Sequence, residues 1–391
     1  MRKITADYIF PISSPPVKQG VVLINNDGTI KSVVERDQFE LSELEVHDGF
    51  ITPGFVNAHC HLELSYLKNK ISEKTGLVDF ITKIIELRNE FDEETIQLAI
   101  EESEKEMIAN GIVAVGDISN TINSFSQKSK SNILYHTFIE LMGFHPDVAE
   151  VAFNNGLDIY ESIPGSNKSV TPHGPYSVSE QLFHKINIHA KKNNYPLSIH
   201  IQESVDENKL FQSKEGDLIE FYKKLNIDLD FFESTQRSSL LSVIPYLEKE
   251  FKILLVHNTF TTPTEIKWIE ENYENVWWCF CPKANLYIEE TLPEFTSFMQ
   301  NNCKITVGTD SLASNNSLSI LDELKVISQT DPKIPLNTLL TWATKNGAEF
   351  LRFENTLGTL EKGKSPGLNL IKDVDNQGIK MLSESYIETL L

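Results

Sequence analysis

PGFVNAHCHLELS, residues Pro53–Ser65, follows a short apolar lead (Gly49, Phe50, Ile51) that reads as strand, and within it His59 and His61 sit two residues apart. Side chains at i and i+2 of a strand point to one face, so both imidazoles reach a common point in space. A shared divalent ion is the natural occupant. Two neutral imidazoles leave room for a carboxylate, a further imidazole and water, which is the plan of a hydrolytic site rather than a closed structural one. His-x-His alone occurs by chance in many surface strands, so the remaining ligands have to be found elsewhere in the chain.

Outward from this strand, apolar β-branched runs alternate with helical patterns. Val56–His61 is followed by a long amphipathic region, Val78–Asn110, then by Ile112–Ser119, Ile133–Leu141, Val170–His173, a helix beginning near Ser179, and Leu197–Gln202. After a polar and aromatic insertion over Val205–Glu250, the pattern resumes with Ile253–His257, Val276–Cys281 and Ile305–Asp310. Eight strands alternating with helices predict parallel pairing, and in 391 residues they favour an α/β fold of the (β/α)8 TIM-barrel type over an open sheet. Short strands at Ile4–Phe10, Gly20–Asn25 and Thr29–Val34, with a turn at Asn26-Asp27-Gly28, and turn-separated strands in Leu357–Ile371 predict a small β-sandwich domain built by both chain ends. The expected division is 1–50 plus 355–391 for the β-domain and 51–354 for the barrel.

In a barrel of this kind, polar residues at the C-terminal ends of the strands converge on one mouth. The first candidate strand ends in His59 and His61, the third in Glu140, the fourth in His173, the fifth in His200 with Glu203, the sixth in His257 and the eighth in Asp310. One buried histidine is ordinarily a hydrogen-bonded core residue. Five histidines with acids at matching topological positions point to a metal-dependent site.

These residues resemble the amidohydrolase superfamily, and within it the deaminase and chlorohydrolase branch that includes guanine, cytosine and S-adenosylhomocysteine deaminases. The motifs are PGFVNAHCH, TPHGPYSVS (171–179), HIQE (200–203), VHNTF (256–260), CPKAN (281–285) and GTDSLASNNSLSILDEL (308–324). HLELS is similar to a pattern of aminofutalosine deaminases. The chain departs from the family at Ala284-Asn285, where Ser-Asn is usual, and at Ser365-Pro366-Gly367. No lysine ends the fourth strand, where binuclear relatives carry a bridging one, so a mononuclear site is expected.

The resemblance implies that His59, His61, His200 and Asp310 coordinate one Zn²⁺ or, alternatively, Fe²⁺, with water in the open position. Asp310 would also accept the water's proton, and His257 would hydrogen-bond the water or the developing oxygen. Glu203 would protonate a ring nitrogen and relay a proton to the leaving amine, which requires a pKa held within reach of working pH. His173, Glu63, Ser65 and Glu140 are the expected substrate contacts, with Glu63 alternatively orienting a ligand imidazole. Arg237, in the insertion with Phe211, Phe221, Tyr222, Phe231 and Phe232, can pair with a carboxylate or phosphate while the aromatics stack on a heterocycle or form the loop's own core.

Composition narrows the setting. With 35 Lys+Arg against 56 Asp+Glu, a net charge of −21, the chain offers no footprint for nucleic-acid phosphates or an anionic membrane. Four cysteines without a Cys-x-x-Cys pair fit a reducing compartment, and no run of signal-peptide or membrane-span length is present, so a cytoplasmic location is expected. The expected partner is a small heterocyclic substrate, and a homodimer is expected only by analogy. The reaction expected first is hydrolytic deamination of an amino-substituted purine or purine nucleoside derivative, such as aminodeoxyfutalosine, S-adenosylhomocysteine or guanine. Amide, lactam or chloro-heterocycle hydrolysis on the same metal is the alternative, and a non-catalytic binding scaffold the second.

Overall fold

The computed structural model describes all 391 residues, Met1–Leu391. Eight parallel strands carry the site: β1 (Phe55–Cys60), β2 (Ile112–Ser119), β3 (Leu134–Leu141), β4 (Lys168–Pro172), β5 (Leu197–Ile201), β6 (Ile253–His257), β7 (Val276–Phe280) and β8 (Lys304–Val307). β1 to β4 pair in order as one four-stranded sheet and β5 to β8 as another. The sheets abut at both edges. At one, Cys60 bridges Asp310 in parallel fashion; at the other, the His200 N–H donates to the His173 carbonyl at 2.9 Å. This is the (β/α)8 arrangement.

The strands read as near-continuous apolar runs because both of their faces are covered. Every residue of β1 and of β6 is buried. Alternate residues serve separate cores: Val56, Phe138, Leu254 and Trp277 pack with Phe350, whereas Ile253, Leu255, Trp278 and Phe280 join the layer shared with surrounding helices such as Glu180–Asn193. The hydrophobic effect, at about 25 cal/mol per Å² removed from water, drives both.

Both chain ends meet in the sheets beside the barrel. Lys380–Thr389, Asn369–Asp375, Phe50–Thr52, Tyr8–Ile9 and Val17–Lys18 form a five-stranded sheet, and Ile30–Val34, Val21–Ile24, Arg2–Thr5 and Glu45–Val46 a four-stranded one. Ile4, Ile24, Ile51 and Leu370 pack between them. The run Ile4–Phe10 is broken at Ala6-Asp7, which sends its halves to different sheets. In Leu357–Ile371 only the last residues are strand, and the closing strand is Lys380–Thr389.

The long amphipathic region after β1 is two helices, α1 (Leu77–Leu87) and α2 (Glu93–Ala109). Asp92 starts the second by accepting the Thr95 N–H, a carboxylate N-cap. The 205–250 insertion contains helices at Val205–Ser213, Asp217–Lys224 and Ser239–Val243.

Candidate metal centre

The first imidazole pair is fixed by the seam between β1 and the end of β8. Asn57 and Thr309, both fully buried, exchange two hydrogen bonds, Nδ2–H to Oγ1 at 2.7 Å and backbone N–H to Oδ1 at 3.1 Å. The His59 carbonyl accepts the N–H groups of Thr309 and Asp310 at 3.1 Å each. Gly308 permits this approach, since a Cβ there would lie 2.7 Å from the His59 carbonyl oxygen. Asp310 itself sits at φ 56° and His257 at φ 75°, left-handed backbone that costs non-glycine residues on the order of 1–3 kcal/mol and clusters at functional sites.

Three imidazole Nε2 atoms converge here. His61 lies 3.2 Å from His59 and 3.3 Å from His200, and His200 lies 3.2 Å from His59. Asp310 Oδ1 is 3.5 Å from His59 Nε2 and 3.4 Å from His61 Nε2. Ligands about 2.0–2.1 Å from a tetrahedral centre stand about 3.3 Å apart, so the set fits one divalent ion. The His200 tautomer agrees. His200 donates from Nδ1 to the His173 carbonyl at 2.9 Å, which leaves its Nε2 bare and aimed at the centre. Burial lowers His59 and His200 and brings His61 to about 3, keeping the rings unprotonated. Burial alone would raise Asp310, but its hydrogen bond with His59 and the neighbouring imidazoles hold it below the usual carboxylate range. Ser314 Oγ–H occupies its other oxygen.

Two further groups stand beside this cluster. Burial, then the charge of Asp310, push the Glu203 carboxyl well above its ordinary value. Its Oε1 is 3.5 Å from His257 Nε2. His257 donates from Nδ1 to Asn285 Oδ1 at 2.9 Å, so its Nε2 is the free acceptor. His173 Nδ1 is engaged with Ser177 Oγ at 2.6 Å, and His173 lines the cavity. Glu140 Oε2 accepts from the Asn120 Nδ2–H, and its Oε1 lies 3.3 Å from His200 Nδ1 with no hydrogen-bond partner of its own, so Glu140 borders both the cavity and the His200 ring.

Three residues expected at the substrate are elsewhere. Glu63 uses both oxygens on the loop after β2, accepting from the Asn120 N–H at 3.0 Å and from the Thr121 N–H and Oγ1–H at 3.0 and 2.7 Å. Ser65 Oγ–H turns back to the Leu62 carbonyl at 2.7 Å. Both sit in the 3-10 turn Leu62–Leu67, where the strand's two-residue alternation no longer applies. Arg237 is exposed on its loop and does not line the cavity. Of the insertion's aromatics, Phe221 and Tyr222 line it, whereas Phe231 and Phe232 pack on Phe144.

The cavity has a volume of about 640 Å³ and opens above the cluster, with His61, His200, Glu203, His257 and Asp310 in its lining. One wall was not anticipated. Leu77, Phe80, Ile81, Ile84 and Arg88 line it from α1 and its C-cap, a stripe at helical spacing.

A (β/α)8 barrel with three imidazoles and a carboxylate converging at its strand ends has the architecture of a metal-dependent hydrolase. The chain belongs to the amidohydrolase family, which matches residues 50–386. It is 24% identical over 374 residues to the 5'-deoxyadenosine deaminase of Methanocaldococcus jannaschii, covering 90% of this chain and 82% of that protein. Helicobacter pylori aminofutalosine deaminase in complex with methylthio-coformycin has a similar structure, with a TM-score of 0.80, 22% identity and coverage of 97% and 95%. The zinc complex of atrazine chlorohydrolase from Arthrobacter aurescens follows the same fold, with a TM-score of 0.75, 17% identity and coverage of 97% and 90%.

Proposed function

We propose that this chain is a hydrolytic deaminase of an adenine-type purine nucleoside derivative. In this reading His59, His61, His200 and Asp310 hold one divalent metal, zinc before iron, since zinc is the metal bound in similar solved structures. The observation that carries it is the Glu203 carboxyl, buried 3.5 Å from His257 Nε2 at the rim of the imidazole cluster, facing the cavity and pushed well above its ordinary pKa by that burial. Deaminases among the relatives support the choice of bond.

Held by His59, His61, His200 and Asp310, such a cation would lower the pKa of water from about 15.7 toward about 7 and so supply hydroxide at neutral pH. The chain's residues do the rest. Asp310, ionised, accepts the proton that water gives up. His257, with Nδ1–H committed to Asn285, offers Nε2 to orient the attacking water. Glu203 delivers its proton to the ring nitrogen beside the amino-bearing carbon as water adds, then takes up the proton of the new hydroxyl and relays it to the departing amine; the C–N bond breaks, ammonia leaves, and the proton held by Asp310 returns to Glu203. His173 offers Nε2 to the bound ring. The unpaired thiols Cys60, Cys279, Cys281 and Cys303 suit a reducing compartment, and we take the cytoplasm as the place of action.

The test is ammonia release by the zinc-loaded protein across adenine nucleosides, their 5'-thioethers and guanine. Glu203→Gln should lower it by about 10²- to 10⁴-fold while bound zinc stays stoichiometric. Inertness toward every aminopurine would sink the reading, and chloride release from a chlorotriazine without ammonia would replace it with dehalogenation.

A further inference from the structure

Building on the deaminase reading, we propose that Gln202 is a positioning residue of the reaction: gripped by buried glutamic acids on two separate helices, it ties the turn that carries Glu203 to the end of β6 that carries His257. No hydrogen bond from the protein holds the Glu203 carboxyl, whose Oε1 stands 3.5 Å from His257 Nε2, so its place is set by the backbone around it. That backbone leaves β5 through a sharp bend. Gln202, directly before Glu203, is fully buried and has φ 47°. On the neighbouring strand end His257 and Asn258 are left-handed too, at φ 75° and 57°. Such backbone is strained for a residue with a side chain and persists only where its surroundings over-determine it.

The surroundings of Gln202 do so. Its N–H donates to Glu207 Oε1 at 2.7 Å, and its Nε2–H donates to Glu265 Oε1 at 2.9 Å. Its carbonyl accepts the Phe260 N–H at 3.1 Å, and the Ile201 carbonyl accepts the Asn258 N–H at 3.1 Å. Glu207 is the third residue of the helix Val205–Ser213, which follows the Glu203 turn, whereas Glu265 is the third residue of the helix Pro263–Asn272, which follows β6. Glu265 is itself immobilised: Oε2 accepts the Thr262 N–H and Oγ1–H at 2.8 and 2.6 Å, and Ser238 Oγ–H shares Oε1. Gln202 Oε1 has no partner, so the side chain holds on through Nε2–H alone.

This side-chain bond therefore joins the two segments that bear the proton donor and the water-orienting imidazole. It fixes their relative position rather than anchoring either one to the apolar core. Slippage of one segment past the other by about 1 Å misplaces the Glu203 proton, an error that costs on the order of 100-fold in rate.

The experiment uses the full zinc-loaded chain and ammonia release from adenine nucleosides, beginning with 5'-deoxyadenosine. Gln202→Met keeps the length of the side chain and deletes Nε2–H, while Glu265 retains its three other donors, so no buried acceptor is stranded. Its kcat should fall about 10- to 100-fold with KM within about twofold and zinc stoichiometric. Amide hydrogen exchange, read by mass spectrometry, should accelerate together in segments 201–207 and 257–262. The swap Gln202→Glu/Glu265→Gln restores an amide–carboxyl pair with the roles reversed and should recover about tenfold of the lost kcat. A lowered urea midpoint with kcat per zinc-bound site unchanged means a merely structural role and overturns the proposal. So does faster exchange in one segment only, or a kcat loss that the zinc-bound swap leaves unrelieved. The two readings fail separately. An active parent with unaltered kcat in Gln202→Met refutes the positioning role alone. A parent inert toward every aminopurine refutes the deaminase reading, and the exchange of the two segments then decides the tie, parallel acceleration upholding it and unchanged exchange refuting it.

Discussion

Replacing Lys128 with methionine tests whether a buried ion pair behind the imidazole pair is essential to the fold. Lys128 Nζ pairs with Asp117 Oδ2, with side-chain exposures of 7% and 0%, and also donates to Ser119 Oγ at 3.0 Å and Thr137 Oγ1 at 3.2 Å. Asp117 Oδ1 accepts the N–H of Leu62, the residue after His61, at 2.8 Å. Methionine keeps most of the stem and deletes the charge. Removing one member of a buried pair costs about 3–5 kcal/mol, because the other is left ionised and uncompensated. Asp117 retains its bonds to Leu62 and Ser119, so the expected loss lies near the lower end, about 3 kcal/mol. Equilibrium urea unfolding of the metal-free protein measures it. The double variant Asp117→Asn/Lys128→Met carries no stranded charge and should recover about 2 kcal/mol relative to Lys128→Met alone. A single variant within about 0.5 kcal/mol of the parent, or a double variant no better than the single, would refute the reasoning. Zinc affinity reports separately: Asp117→Ala, which removes the acceptor for Leu62, should weaken it about 10- to 100-fold.

Stability of the metal-free protein should peak at mildly acid pH. Burial brings His61 and His136 to about 3 and Glu207 and Glu323 to about 8. Against unfolded values near 6.5 and 4.5, the histidines' contribution is full above pH ~6.5 and lost as the pH falls toward 3. That of the glutamic acids is full below pH ~4.5 and lost as the pH rises toward 8. Urea midpoints should therefore be highest between about pH 4.5 and 6.5, and a maximum near pH 8 would contradict this assignment. Asn285→Ala removes the acceptor for His257 Nδ1–H and should lower kcat about 10- to 100-fold with zinc content unchanged; unaltered kcat would mean the ring is oriented by something else.

The barrel was legible because parallel strands covered on both faces leave runs such as Ile253–His257, and because a (β/α)8 ring gathers whatever ends those runs. That is why His59, His61, His200 and Asp310, spread over some 250 residues, can be named together from the chain alone. Adjacency to a motif proved a poorer guide than topology. Glu63 and Ser65 follow the His pair directly, yet the 3-10 turn after β1 rotates them toward the β2 loop and the Leu62 carbonyl. Arg88 carries no such tag. Whether the stripe Leu77, Ile81, Ile84, Arg88 covers the barrel or lines the cavity depends on the path of the loop between β1 and α1, which local periodicity does not encode. Neutral amides escaped for another reason. Asn57 and Asn285 have no titratable signature, but Asn57 ties the two strands that bring His59 to Asp310, and Asn285 decides which nitrogen of His257 is bare. The strand pattern tells where an imidazole stands; the hydrogen bond to its other nitrogen tells what it can do there. Histidines 200 and 257 stand at or next to the ends of two neighbouring buried strands, yet the first donates from Nδ1 to a backbone carbonyl and aims Nε2 at the other imidazoles, whereas the second donates to a side-chain amide and turns Nε2 toward Glu203.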